Sequence, residues 1–323
     1  MKSLSAVRLV FVALLVTGCS AGESKSSLAL PSLASSDARD SWVPAALARR
    51  NLLYVGNFYT DSVTLYVYPG GRLAGTLRGF DFPSGVCSDP QGNVFITNEL
   101  SADIVEYSHG GTSPIATFYD PGEYPVACAV DPHTDDLAVT SIQGASGPSG
   151  VTIYPHEQSS GQFFSDPSVY SMYFCGYDDH DTLYIDGENS SGNVVLAALS
   201  GTPPSFTLIS LSQSISFPGG VQWDGKDLAV GDQDNNEVYE FSIVGSLGTL
   251  QGSTQLGGAQ RVVGFVIPRL RHHGNGRGRI LVGPDYERSD VGLWPYPAGG
   301  VAKKVISEGV DHPEQVAVSE GKM

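Results

Sequence analysis

The chain has 323 residues, 34 acidic and 18 basic side chains, and a formal net charge of −16. So acidic a chain is repelled by nucleic acid and by anionic lipid, which excludes both as direct ligands of a folded domain. Glycine at 39 and proline at 20 positions, with no apolar stretch keeping a 3.6-residue spacing, exclude a helical fold and suit an all-β chain with many tight turns.

Residues 1–18 read as a processing signal. Lys2 and Arg8 are followed by the uninterrupted apolar run Leu9 to Val16. That run is too short to cross a bilayer, which takes about 20 residues, but it has the length of a signal-peptide core. Val16-Thr17-Gly18-Cys19 then resembles the lipobox of bacterial lipoproteins. The resemblance implies that Cys19 is lipidated, becomes the new N-terminus and anchors the chain through several acyl chains. The expected address is the cell membrane or outer membrane, with the chain facing the periplasm or the exterior, and Ser20, which supplies no Asp-type retention signal, favours the outer membrane where there is one. Residues 19–50, rich in Ser, Ala, Pro and mixed charge without a clean period, read as a flexible tether spanning roughly 30 Å.

From residue 51 to 323 one segment recurs: an apolar strand, a loop, a second strand ending in Tyr, and a Pro/Gly turn. Its apolar strands begin near Leu53, Val94, Leu137, Leu183, Leu228 and Ile280, between about 41 and 52 residues apart. A strand-only repeat of roughly 40–45 residues is the signature of a β-propeller with four strands per blade. Before each apolar strand but the first, and again at the chain's end, runs another rich in small residues, as in Pro83-Ser84-Gly85-Val86-Cys87 and Pro125 to Val130. The later copies are Tyr173 to Gly176, Pro218 to Val221, Val262 to Ile267 and Pro313 to Val318. Small side chains suit innermost strands that converge on an axis. The turns Asp89-Pro90-Gln91-Gly92, Asp131-Pro132 and Asp224-Gly225 have type I turn chemistry and read as structural punctuation. Six strands of each kind exist, but the first blade lacks its own innermost strand. The expected architecture is therefore a six-bladed, four-stranded propeller whose C-terminal strand pairs with the N-terminal blade, leaving no free edge.

Phe82-Pro83-Ser84-Gly85-Val86 followed by Asp89-Pro90-Gln91-Gly92-Asn93-Val94-Phe95-Ile96-Thr97-Asn98 resembles the NHL-type repeats of six-bladed propellers. The resemblance covers most of the region from Leu52 to the C-terminus and is clearest in the first, second and sixth repeats. It implies a fold shared by lactonases, streptogramin lyases and non-enzymatic binding modules, so the repeat specifies the fold alone.

Cys19 aside, Cys87, Cys128 and Cys175 form an odd set without a CxxC pair, which excludes a complete disulfide framework and zinc motifs. All three lie in apolar strands and are expected to be buried small hydrophobes. A Cys87–Cys128 bridge between neighbouring blades is the alternative that only geometry decides.

Strand direction sorts the loops. Those leading into the innermost strands share one face with the loops that follow the next strands outward. On that mouth fall Asp81, Phe82, Glu123, Tyr124, Phe217, Asp311 and His312, together with Asn57, Asn98, Glu99, Glu188, Asp232 and Asp285. Carboxylates, amides and rings in this arrangement suit a glycan, a cationic group, a protein partner or a hard cation such as calcium held by oxygens. No cofactor motif is present, and no GxSxG, P-loop or HExxH. Of the seven histidines, only His312 falls on the mouth. The segment 268–279, with Arg269, Arg271, Arg277 and Arg279 beside His272 and His273, is expected on the opposite face, as a solvated loop or an anion contact.

These features lead to a monomeric, membrane-tethered, non-enzymatic propeller that binds a ligand or partner at its mouth. The alternative is a metal-dependent hydrolase or lyase of the lactonase-like class. Cys19→Ser is expected to move the protein from the membrane to the soluble fraction on cell fractionation; retention in the membrane would refute lipidation.

Overall fold

The computed structural model describes residues 41–47, 49–120, 124–142, 149–269 and 279–321. The signal segment 1–18, Cys19 and most of the tether lie outside the described residues, as do Glu123 and residues 270–278. Every regular element longer than three residues is a strand. β1 (Leu52–Asn57), β2 (Ser62–Val67) and β3 (Arg72–Arg78) open the chain. A four-stranded sheet follows, from β4 (Pro83–Ser88), β5 (Val94–Asn98), β6 (Asp103–Tyr107) and β7 (Pro114–Tyr119). Another contains β8 (Pro125–Val130), β9 (Leu137–Ser141), β10 (Gly150–Tyr154) and β11 (Gln162–Phe164). Two further antiparallel runs are β12 (Ser171–Tyr177), β13 (Leu183–Glu188), β14 (Val194–Ser200) and β15 (Ser205–Leu211), then β16 (Pro218–Trp223), β17 (Leu228–Asp232), β18 (Glu237–Val244) and β19 (Leu247–Gly257). The chain ends with β20 (Arg279–Asp285), β21 (Asp290–Tyr296), β22 (Gly300–Val301), β23 (Lys304–Ile306) and β24 (Pro313–Ser319).

The final strand pairs with the first. β24 lies antiparallel to β1, from Leu52 opposite Ser319 to Asn57 opposite Pro313, and completes the four-stranded order β24-β1-β2-β3. The sets other than β20-β21-β23 thus begin, in space, with a strand on a common axis and fan outward, a propeller-like arrangement of small sheets. Innermost neighbours also touch through backbone: the Gly220 amide donates to the Val263 carbonyl and the Gly264 amide to the Glu314 carbonyl. The convergence is tight enough that a Cβ on Gly85 of β4 would stand 2.9 Å from the Ala127 Cα of β8.

Two features depart from six separate four-stranded sheets. β15 and β19 join by a short parallel contact at Ser210–Leu247 and Leu211–Gly248, so that β12 to β19, with β22 attached, form one nine-stranded sheet. The expected strand Val262 to Ile267 is reduced to bridges, Val262 with Asp285 and Val266 with Val282, which leaves β20-β21-β23 three-stranded. The reason is visible in its amides. Those of Val263 and Val266 bond to the β20 side, while Gly264 turns to β24, so no continuous ladder forms.

The core sits between successive sets of strands, not inside any one sheet. β1, β5, β9 and β17 are buried along their whole length, since both faces pack against apolar neighbours. Leu52, Tyr54, Leu65, Val94, Ile96 and Tyr107 fill one such gap, and Phe95, Phe118, Leu137 and Tyr154 the next. Outer strands such as β7 are largely exposed.

Cys87 and Cys128 correct the reading of all three cysteines as buried thiols. They form a disulfide, with their Cα atoms 5.7 Å apart, because convergence on the axis brings β4 and β8 within bridging range. Cys175 on β12 remains a buried free thiol, its pKa pushed up to about 12 by burial. The Asp-led turns behave as their sequences indicate. Asp131 accepts from the His133 and Thr134 amides at 2.8 and 3.2 Å, and Asp224 from Lys226 and Asp227 at 2.8 and 2.9 Å. Replacing Cys87 and Cys128 together by Ser is expected to lower unfolding stability by about 2–5 kcal/mol, read by denaturant titration.

Candidate ligand-binding mouth

At the end of the axis where the innermost strands begin, side chains at the ends of the next strands hold the incoming turns. Asn57 Oδ1 accepts from the Asp311 amide at 3.0 Å, and Asn98 Oδ1 from the Asp81 amide at 3.3 Å. Asp232 accepts from Ser216 and Phe217 amides at 2.8 and 3.3 Å; Asp285 takes Gln260 and Arg261 amides at 2.7 and 3.0 Å. Asn98, Asp232 and Asp285 are therefore buried turn supports whose oxygens are engaged by backbone. Asp81 accepts from the Ser101 hydroxyl at 2.9 Å, and Asp311 pairs with His312 Nδ1 at 2.8 Å.

The turns these residues hold are unusual in one repeated respect. Phe82, Tyr124 and His312 each precede a proline and each adopts a positive φ, of 55°, 48° and 42°. Non-glycine residues reach that region at a cost of about 1–3 kcal/mol, so the surrounding bonds must over-determine it. Phe82 and His312 thereby join an aromatic ridge across the mouth. Phe58 meets Phe82 edge-on at 4.7 Å between centroids, Tyr59 meets His312 at 5.0 Å, and His312 meets Tyr286 at 5.0 Å. The Tyr59 and Tyr286 hydroxyls lie 3.1 Å apart, and Tyr59 is 53% exposed.

Beside the ridge, polar side chains form a chain of contacts around the axis. Ser84 donates to Glu99 Oε2 at 2.8 Å and also supports Glu314. Arg261 donates from Nε to Gln233 Oε1 at 3.0 Å, and its guanidinium lies 5.3 Å over the Phe217 ring. Phe217 neighbours Tyr173 at 6.3 Å, and the Tyr173 hydroxyl donates to Glu188 Oε2 at 3.2 Å. Burial raises the pKa of Glu99, partly offset by Ser84. Glu314 is pushed up to about 8, first by burial and then by the charge of Glu99. Asp186 on β13 is fully buried between innermost strands. Its Oδ1 accepts from the Phe174 amide at 2.9 Å, and burial raises it well above the usual carboxylate range, partly offset by the Phe174 and Gly219 amides.

The structure thus brings Phe82, Glu99, Phe217, Asp311 and His312 to one mouth with Tyr124 on an equivalent turn. Glu188, also expected on that face, is there beside Tyr173, and Glu314, Arg261, Gln233, Tyr173, Tyr59 and Tyr286 are additions that sequence reasoning missed. One signal was available: Glu314 is the only acid among the residues that follow the opening prolines, where the other strands carry Ser84, Val126 and Gly219.

The opposite end of the axis holds a cavity of about 510 Å³, whose lining includes the Cys87–Cys128 pair, Phe174, Trp223 and Arg269. The described ends of the arginine-rich segment are matched by aspartates there. Arg269 pairs with Asp179 at 2.7 Å, and Arg279 pairs with Asp224 at 2.9 Å while stacking on Tyr296. Among the described residues, the groups of three able to hold a cation, Asp131/His133/Asp181 and Asp89/Glu106/Glu157, also belong to this end.

No protein-family model and no curated protein matches the chain. Solved structures do. A chain of a nidogen/laminin complex superposes with a TM-score of 0.67 at 12% identity, over 84% of this chain and 100% of that one. A protein of unknown function from Desulfotomaculum acetoxidans gives a TM-score of 0.55 at 11% identity, with 84% and 100% coverage. A chain from Bacteroides uniformis, named as a candidate 6-phosphogluconolactonase, gives a TM-score of 0.57 at 10% identity, with 84% and 99% coverage. At these identities the likeness is one of fold, and it agrees with the propeller-like arrangement.

The raised Glu314 has a thermodynamic consequence. A carboxyl whose folded pKa, about 8, exceeds the ordinary glutamate value of 4.5 binds more protons in the native state between those two pH values. Stability therefore falls as pH rises from about 4.5 to about 8. Glu314→Gln is expected to flatten that fall, measured by chemical denaturation at pH 5, 6, 7 and 8; an unchanged slope would contradict the assignment.

Proposed function

We propose that the protein is an exported, membrane-tethered lipoprotein whose NHL-type propeller of six blades binds a small ligand at its mouth without transforming it. The observation that carries the binding role is the joining of an exposed aromatic ridge to a part-buried ring of carboxylates, guanidinium and amide around the axis. Rings beside a few convergent polar groups are the usual lining of a ligand site. The blade count rests on treating the nine-stranded sheet as two four-stranded runs and 262–267 as the innermost strand of the β20-β21-β23 set. Export is favoured by the Cys87–Cys128 disulfide, which persists in oxidising compartments. The lipobox-like Cys19 supplies the anchor.

A second reading, hydrolase or lyase, is favoured by the Glu99–Ser84–Glu314 set, where one carboxyl held protonated and one ionised could serve as acid and base. Turnover of a lactone panel that disappears in Glu314→Gln would replace the receptor reading. On the receptor reading, native mass spectrometry of protein isolated from its own membrane finds a small molecule bound. Tyr59→Ala weakens that molecule at least tenfold while changing stability by less than about 0.5 kcal/mol, since Tyr59 is exposed.

A further inference from the structure

The chemistry of the ligand follows from where charge sits on the mouth floor, and it rests on reading the mouth as a binding site. On one side, Glu99 and Glu314 converge on Ser84. On the other, Arg261 is fixed by two independent contacts, its Nε on Gln233 and its plane over Phe217. Among the described residues its two Nη atoms donate to no protein group, and it forms no ion pair with either glutamate. A guanidinium held this way presents a planar fork that matches a carboxylate with two parallel bonds. Arg261 is near enough for its charge to act on Glu314, yet the two remain unjoined. The mouth floor therefore holds a separated positive and negative pole, with Phe217 and Tyr173 as an apolar surface beside the positive one.

We propose that the mouth binds a small zwitterion of the α-amino-acid type, with its ammonium donating to Glu99 and Glu314 and its carboxylate accepting from the Arg261 fork. Other charge types fit less well. A simple anion would meet Glu99, Glu314 and Glu188 within a chain of net charge −16. A simple cation would face the guanidinium, and a neutral sugar would leave both poles without counter-charge. The side chain of the zwitterion lies on the Phe217–Tyr173 surface or on the Tyr59–Tyr286 ridge. Binding also displaces a proton. Two carboxyls so close do not both ionise readily, and the groups facing Glu314 are Glu99, Arg261, Tyr286 and the Ser84 hydroxyl. An incoming ammonium supplies the positive charge that lets both ionise, and the proton they shared leaves to solvent.

The test is isothermal titration of the full chain with four probe sets: free L-amino acids, their C-terminal amides, the matching carboxylic acids without the amine, and neutral monosaccharides. At least one free amino acid is expected to bind, with its amide and its deamino acid at least tenfold weaker. Arg261→Gln should weaken the amino acid at least tenfold and the amide less than twofold. Arg261→Lys, which keeps the charge and loses the fork, serves if the Gln variant does not fold and should give an intermediate loss. Titrations at pH 7 in buffers of different ionisation heat should show about one proton released per ligand, and none in Glu314→Gln. Monosaccharide binding that is lost in Tyr59→Ala and indifferent to Arg261→Gln would overturn the zwitterion and leave the receptor standing. Binding by none of the four sets overturns the zwitterion, and an empty mouth in protein taken from its own membrane would bring down the receptor as well.

Discussion

The pairing of β24 with β1 is the constraint on which the rest depends. A strand at the end of a sheet exposes a row of unsatisfied amides and carbonyls, and here the last strand of the chain occupies that row on the first sheet. The register from Leu52–Ser319 to Asn57–Pro313 sets more than an edge. It places Pro313 and Glu314 beside β4, so that the Ser84 hydroxyl, which donates to Glu99, also supports Glu314, 230 positions further along the chain. The same register positions His312 against Tyr59 and Tyr286. The mouth is therefore a product of closure, because its two halves come from opposite ends of the chain.

Convergence on the axis explains the chemistry at both ends. Innermost strands approach closely enough for cross-strand amide bonds and a disulfide, and at the mouth the same approach brings Glu314 near Glu99. Low local polarity makes two neighbouring carboxylates expensive, and Glu314 answers by holding its proton. At the other end the aspartates of the turns meet Arg269, Arg279 and Lys226 and are screened by them. At the mouth end Arg288 is likewise paired, with Asp290 and Asp285, whereas Arg261 rests on Gln233 and Phe217 and gives that end a positive pole.

The residues named from the sequence at the mouth divide by role. Asn98, Asp232 and Asp285 look like ligands when read as a list of polar residues on one face, yet each spends its oxygens on backbone amides of the turn in its own set. Their recurrence at one position in the repeat is what a support function requires. Glu99, Gln233 and Tyr286 share one repeat position, their amides donating to the Phe82, Phe217 and Arg261 carbonyls, so there and at Arg261 and Glu314 it is the side chain that changes from repeat to repeat. Residues that break a repeat are where a repeated fold becomes asymmetric enough to prefer one ligand.

Local pattern determined the strands themselves. β5, β9, β13 and β17 start at Val94, Leu137, Leu183 and Leu228, where apolar runs bounded by turn residues demand buried strands. The Asp-led turns and the pairing of the chain's two ends were legible for the same reason, since each follows from neighbouring residues or from counting strands. The partners across the axis were decided only by tertiary structure. Whether Cys87 meets Cys128, whether Val262 to Ile267 forms a ladder or bridges, and which acids share a proton all depend on distances between strands far apart in sequence. Those distances are set by how tightly the sheets converge, a property of the packed assembly that no single repeat contains.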